Sequence, residues 1–222
     1  TTEKVLRMTY LQLVNSVLRR LREDEVATVG QNSYSRLIGE FVNDAKRTVE
    51  DAWAWSALRN TLTVTTEADV FNYNLTGSLD RVQLLDVVND TSNWFMNYRA
   101  AYWMTAAYLI ETPPKGAPQF YSWNGIDANG DSAVDVYPAP DGVYELRFNV
   151  ALRTEDFTDD TAKMTVPSSP VVQLATALGA RERGETGGTS SAELFALADR
   201  TLSDAVALDA AKHPEETIWT TV

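Results

Sequence analysis

The sequence predicts an α+β protein: a helical bundle formed by N-terminal and C-terminal helix pairs, with an inserted antiparallel β-rich domain. Three observations carry this. Residues 1–58 hold two stretches with apolar residues at three- and four-residue spacing, as amphipathic helices require. Residues 59–166 hold short runs of β-branched and aromatic residues, with breaks such as EAD and GSLD between them. Residues 167–212 return to helical spacing, and Pro214 stops the last helix. Closing the two terminal helix pairs on each other makes the middle an insertion. It leaves residues 213–222 as a C-terminal arm.

The elements follow in order. Thr9-x-x-Gln12 matches a capping box, with Met8 and Leu13 placed as a staple. Leu11, Val14, Leu18 and Leu21 then form a narrow apolar seam. EVATVGQN is short enough to lay the next helix antiparallel to the first. That next helix spans Gln31 to Arg59 and is about 40 Å long. Asn32 or Ser33 caps it. Its stripe is Tyr34, Leu37, Ile38, Phe41, Ala45, Val49, Ala52 and Trp53, while Lys46, Arg47, Glu50 and Asp51 fall mostly off it. Phe41, Val49 and Trp53 are expected in the core against Leu11, Val14, Leu18, Leu178 and Leu202.

Strands are expected at 61–66, 70–75, 81–88, 93–98, 119–124, 133–137 and 144–153, with a short helix over 99–110. DGVY, 141–144, reads as a hairpin turn between the last two strands. EDFTDD, 155–160, reads as a polar loop. Two helices close the chain. The second carries Leu194, Ala198, Thr201, Leu202, Ala205 and Leu208 on one stripe.

Composition removes several function classes. Cysteine is absent, so disulfides, thiolate chemistry and cysteine zinc sites are excluded. No run of eighteen apolar residues offers a membrane span, and TTEKVLRMTYLQ lacks the order of a signal peptide. The net charge of −12 argues against a protein that grips nucleic acid phosphates. Arg181 and Arg183 make too small a basic patch to change that. The acids concentrate in 59–166, with fifteen acids against seven bases.

Few constellations carry chemistry. His213 is the one histidine, beside Pro214 at a helix end, where a role toward the helix dipole suffices. Asp127, Asn129 and Asp131 resemble the start of a calcium loop, yet its twelfth position is Pro138 instead of Glu. A polar turn is the better reading, and Asp127, Asn129 and Asp131 stay a weak metal candidate. Glu155, Asp156, Asp159 and Asp160 form an acid cluster; a glycan hydrolase would draw its pair from such acids. The aromatic run includes Trp94, Trp103 and Trp123. It suits a subunit interface, or alternatively a carbohydrate-binding groove. No cofactor is indicated.

The order of features resembles a known family. LQLVNSVLRRLREDEVATV, followed by A-x3-V-x-D-A-W-x-W from Ala45 to Trp55, is similar to the opening of head-to-tail adaptor proteins of short-tailed bacteriophages, the tail tubular A type. GAPQFYSW, DVYPAPDGVYELRFNV and PSSPVVQLATALGARERGE agree in kind, so the resemblance covers about residues 9–210. It implies a helical bundle carrying a β-rich domain. It also implies a virion protein without catalytic activity, assembled usually as twelve copies in a ring between the portal and the tail nozzle, through which packaged double-stranded DNA passes. An acidic conduit fits that role, because it repels DNA. A phage cell-wall glycan hydrolase using Glu155 or Asp156, and a carbohydrate-binding module, are the alternatives. In the adaptor reading, the arm 213–222 is a portal-docking element, with Ile218, Trp219 and Val222 as its apolar residues and Trp219 as the anchor.

Overall fold

The computed structural model describes residues 7–79, 81–110, 112–184 and 189–212. They fall into two compact units. One holds the residues up to Leu58 and from Thr154 onward; the other is Arg59–Arg153.

The first unit is helical. Helix α1, Tyr10–Arg20, starts at the capping box read from the sequence: Thr9 Oγ1 accepts from Gln12 N at 3.3 Å, and Gln12 Oε1 accepts from Thr9 N at 2.9 Å. Two orphan N–H groups are satisfied in one exchange. Helix α2, Ser33–Asp51, uses Asn32 and Ser35 in the same reciprocal way. It ends eight residues before the expected Arg59, and a short 3-10 turn, Ser56–Leu58, follows. The two tryptophans at its end therefore exchange places. Once the helix stops, Trp53 leaves the apolar stripe and is exposed, whereas Trp55 turns inward and is buried. The Trp55 indole N–H donates to Val49 O at 2.7 Å, satisfying a carbonyl at the helix end. Val49, Val14 and Leu18 are core as expected, but Phe41, Leu11, Leu178 and Leu202 are only half-buried.

The hub of this unit is the helix at Ser168–Glu182, which packs against α1, α2 and the last helix, Thr189–Ala210. Its inward face is built from small residues, among them Ala175, Ala177 and Ala180. A Cβ on Gly179 would stand 2.7 Å from Leu21 Cδ1, so glycine sets this close approach.

Residues 154–166 belong with the helices, although their composition places them with the β-rich stretch. Polar side chains of α2 hold them. Asn43 exchanges two hydrogen bonds with the backbone of Phe157, at 2.9 and 3.1 Å. Lys46 Nζ donates to the carbonyls of Thr154 and Glu155 at 2.9 and 2.8 Å. Glu50 accepts from Thr154 N and Oγ1 at 3.1 and 2.7 Å, and pairs with Lys46 at 3.4 Å. Lys46 and Glu50 are both fully buried, a correction to their place off the stripe. Met164 N donates to Met8 O and Tyr10 N to Ala162 O, which ties the same segment to the start of α1.

The second unit contains two four-stranded sheets. Strands β1 (Arg59–Thr65), β8 (Glu145–Leu152), β3 (Val82–Asn89) and β4 (Trp94–Phe95) form one, in the order β1-β8-β3-β4 and all antiparallel. Strands β2 (Asn72–Asn74), β7 (Ser132–Tyr137), β6 (Phe120–Ile126) and β5 (Asn97–Tyr98) form the other, in the order β2-β7-β6-β5, where β5 runs parallel to β6. Helix α3, Ala101–Tyr108, follows β5. Residues from both sheets share one apolar core around Phe148, Leu146, Val134, Val136 and Leu75. A bulge between Leu84 and Asp86 breaks the β3–β8 register and leaves Leu85 exposed. DGVY is not a hairpin turn: β7 and β8 lie in different sheets, and this turn carries the chain from one to the other. Thr66, directly after β1, receives it, with Thr66 N donating to Tyr144 O and Tyr144 N to Thr66 Oγ1.

Candidate functional site

The acids singled out from sequence are engaged in structure. Asp156 pairs with Arg47. Asp159 accepts from Thr161 N and Oγ1 at 2.7 and 2.8 Å. Asp160 accepts from Val29 N. The backbone carbonyl of Glu155 accepts from Lys46 Nζ at 2.8 Å. The cluster thus fastens the 154–166 segment.

The turn at Asp127, Asn129 and Asp131 is similarly self-contained. Asp127 Oδ1 accepts from the N–H groups of Asn129 and Asp131 at 2.7 and 2.9 Å. The Asp131 N–H, with lesser help from Asn129, holds the Asp127 carboxyl below its usual range. Asp131 Oδ1 accepts from Gly77 N and Leu79 N at 3.0 and 3.1 Å. No group of three or more ligand-type side chains able to hold a metal occurs among the described residues.

The aromatic run has two layers. The inner layer is a ring cluster under α3. Trp103 lies 5.2 Å from Phe120 and 5.3 Å from Tyr137, centroid to centroid, and the Arg99 guanidinium covers Trp103 and Phe120 at 5.2 and 4.8 Å. Tyr108 meets Phe71 at 4.5 Å and Tyr137 at 5.3 Å, and its hydroxyl donates to Val136 O. Burial, reinforced by Asp135, pushes the Tyr108 phenol above its usual range. This layer is scaffold. Trp103 and Trp123 are half-buried, and Trp94, 37% exposed, donates its indole N–H to Pro118 O at 3.0 Å. Trp103 and Trp94 thus have partners inside their own unit, and Trp123 packs against its apolar core.

The outer layer is different. Phe95 is 69% exposed, Tyr98 56%, Tyr102 86% and Leu109 79%. Phe95 sits on β4, Tyr98 on β5 and Tyr102 on α3, with Leu109 just past the end of α3. β4 and β5 are the edge strands of the two sheets, so the single stretch 94–98 forms an open edge of both. Natural edges usually carry charges that block pairing. This one carries none between Asn93 and Tyr98, and the next charge, Arg99, is turned onto Trp103 and Phe120. An uncharged aromatic edge is suited to burial against another protein. The alternation of aromatic residues marks the stretch in the sequence; which of them face outward does not show there.

The apolar residues of the arm, Ile218, Trp219 and Val222, and His213 lie outside the described residues.

No described helix is long and apolar enough to cross a membrane. Comparison with curated proteins gives no match. The family model described as SU10 adaptor protein matches residues 8–215, which take in both units, the aromatic edge and the 154–166 segment. The chain belongs to the SU10 adaptor protein family.

Proposed function

We propose that this protein is a structural virion component of a bacteriophage neck, a head-to-tail adaptor whose copies form a ring between the portal and the tail nozzle. The reading treats the helices as a bundle and Arg59–Arg153 as a domain inserted between its halves. The observation that carries it, beside family membership, is the aromatic edge from Trp94 to Leu109: apolar surface of this kind on a −12 chain finds its energy by burial against other subunits. Copies related head to tail around an axis close into a ring, with twelve subunits as the expected number. Its net negative charge lets double-stranded DNA pass without adhering. The arm 213–222 docks through Ile218, Trp219 and Val222, either on the portal or on the next subunit.

Mass by light scattering tests this, on the protein alone and mixed with the portal of the same virion. The expected result is a ring-sized increase on the portal. A chain that stays monomeric and leaves the portal's mass unchanged overturns the reading. No measurable duplex DNA binding is expected near physiological salt; tight, salt-sensitive binding would remove the conduit argument.

A further inference from the structure

The helical unit has a second surface that the aromatic edge does not explain. A groove of about 520 Å³ opens where α1 ends beside the hub helix and the last helix, here α4 and α5. Its lining includes Arg20, Arg22, Gln173, Leu21, Ala180 and Leu194. Three arginines of this unit are ion-paired: Arg19 to Glu25, Arg47 to Asp44 and Asp156, and Arg183 to Glu23, with Leu21 O as a further acceptor. Arg20 and Arg22 are exposed and have no side-chain partner among the described residues. Two cations lining one groove favour an anion there.

Arg22 also occupies an unfavourable backbone position. Glu23 N donates to Leu18 O and Arg22 N to Arg19 O, which closes α1 in a Schellman motif. Arg22 is the left-handed residue of that motif, with φ 59°, where glycine is free of strain. Helix-dipole complementarity accounts for Arg19 and Arg20 in the last turn of α1. It does not account for a strained arginine beyond the end.

The groove thus offers two unmatched cations and an amide, above an apolar floor of Leu21, Ala180 and Leu194. Its complement is a short segment with adjacent acids followed by large apolar residues. This chain contains one, Glu215-Glu216-Thr217-Ile218-Trp219. Within one chain it would have to turn back along α5: Leu194 and Ala210 lie about 24 Å apart, and the five or six residues from Ala210 to the two acids span about 18–22 Å fully extended. A second copy delivers the segment without that reversal.

We propose that the groove at the ends of α1 and α4 receives the acidic-apolar segment 215–219 of a second copy of this chain, with Arg20 and Arg22 taking the two carboxylates. The inference rests on the ring reading and names the neighbouring subunit as the receiver of the arm. The contact is head to tail, the geometry that closes rings.

A labelled peptide of residues 213–222, titrated into the full-length protein by fluorescence anisotropy, tests it. Saturable binding is expected, weakened at least tenfold in the R20E/R22E variant. It should return when that variant meets a peptide with both Glu215 and Glu216 changed to Lys. Arg22→Gly separates site from scaffold: it should melt higher than the parent, because the strain is gone, yet bind the peptide more weakly. No binding by the parent, or equal binding by R20E/R22E, overturns the proposal; so does displacement of the peptide by a short DNA duplex, which would make the anion a phosphate. Portal association of the same samples, followed by light scattering, is scored separately. Peptide binding without a ring on the portal refutes the adaptor reading alone; a ring without peptide binding refutes the groove alone.

Discussion

In the helical unit the irregular segment 154–166 is held by buried polar side chains; in the β unit the strands are registered over an apolar interior, and polar groups there mostly serve turns. Asn43, Lys46 and Glu50 lie at i, i+3 and i+7 on one face of α2, and they clasp the backbone of a segment more than a hundred residues away. The β unit instead registers β1, β8 and β3 through an alternating pattern, with Leu146, Phe148 and Val150 of β8 fully buried. The difference follows from what each interior must hold. A sheet pairs its own backbone groups, so its interior needs only apolar side chains. An irregular segment laid on a helix has unpaired carbonyls and N–H groups, and side chains must satisfy them.

The largest test of this contrast is Lys46→Ala. It leaves Glu50 charged and buried, with two carbonyls orphaned, and should cost about 3–5 kcal/mol in denaturant unfolding. A K46M/E50L double variant should regain part of that loss, because it removes the remaining charge. Phe148→Ala in the β unit should cost a similar ~3–5 kcal/mol. No second polar change should rescue it, since the deficit is a cavity. Rescue in both units, or in neither, would break the distinction.

Asp209 gives a smaller effect with a pH signature. It lies at the end of α5 and is 5% exposed. Burial pushes its carboxyl up, but hydrogen bonds from Ser56 N at 2.8 Å, Ser56 Oγ at 2.6 Å and Lys212 Nζ at 2.9 Å outweigh that and hold it at about 2, below the ordinary 3.8. The folded state therefore binds the proton less readily than the unfolded state. The stabilisation is complete above the unfolded value near 4 and disappears as pH falls toward 2. It amounts to about 2 kcal/mol. Asp209→Asn should lose this at neutral pH and flatten the acid limb of the stability profile. An unchanged acid limb would show that Asp209 does not tie α5 to the 3-10 turn.

What could be read in advance divides by distance along the chain. The capping box at Thr9 and Gln12 is a four-residue device and shows in the sequence. So does the alternation of β8. The end of α2 does not: Trp53 continues the helical spacing, and only the stop at Asp51 hands the core position to Trp55. Lys46 and Glu50 carry charge, and charge reads as surface unless the partner is known; their partner is the backbone at 154–155, which has no side-chain signature. DGVY has the residues of a hairpin turn, yet the sheets it joins are decided by pairings far from it. Arg20 and Arg22 meet the α4 end only after folding, because some 160 residues separate Arg20 and Arg22 from Arg181 and Arg183. The aromatic edge was half legible. The residue types show in sequence, but Trp103 and Trp123 are half-buried, and the more exposed side chains of the stretch are Phe95 and Tyr102.

That last point sets the smallest expected effect on stability and the sharpest on assembly. Phe95 and Tyr102 are among the most exposed aromatic side chains, and neither belongs to the shared apolar core of the β unit. Replacing both with Ser removes little that the folded chain uses, so unfolding should change by no more than about 0.5 kcal/mol for each. Trp103→Ala is the matched control. It opens the ring cluster formed with Phe120, Tyr137 and Arg99, and should cost about 3 kcal/mol or more. If the edge is an interface, the order reverses in light scattering with the portal. The Phe95/Tyr102 variant should lose the ring-sized increase while keeping the parent's melting curve, because interface energy concentrates in exposed aromatic anchors that become buried on association. Trp103→Ala should still assemble at temperatures well below its melt. Full assembly by the Phe95/Tyr102 variant would move the interface elsewhere and leave the edge as surface that the fold merely tolerates.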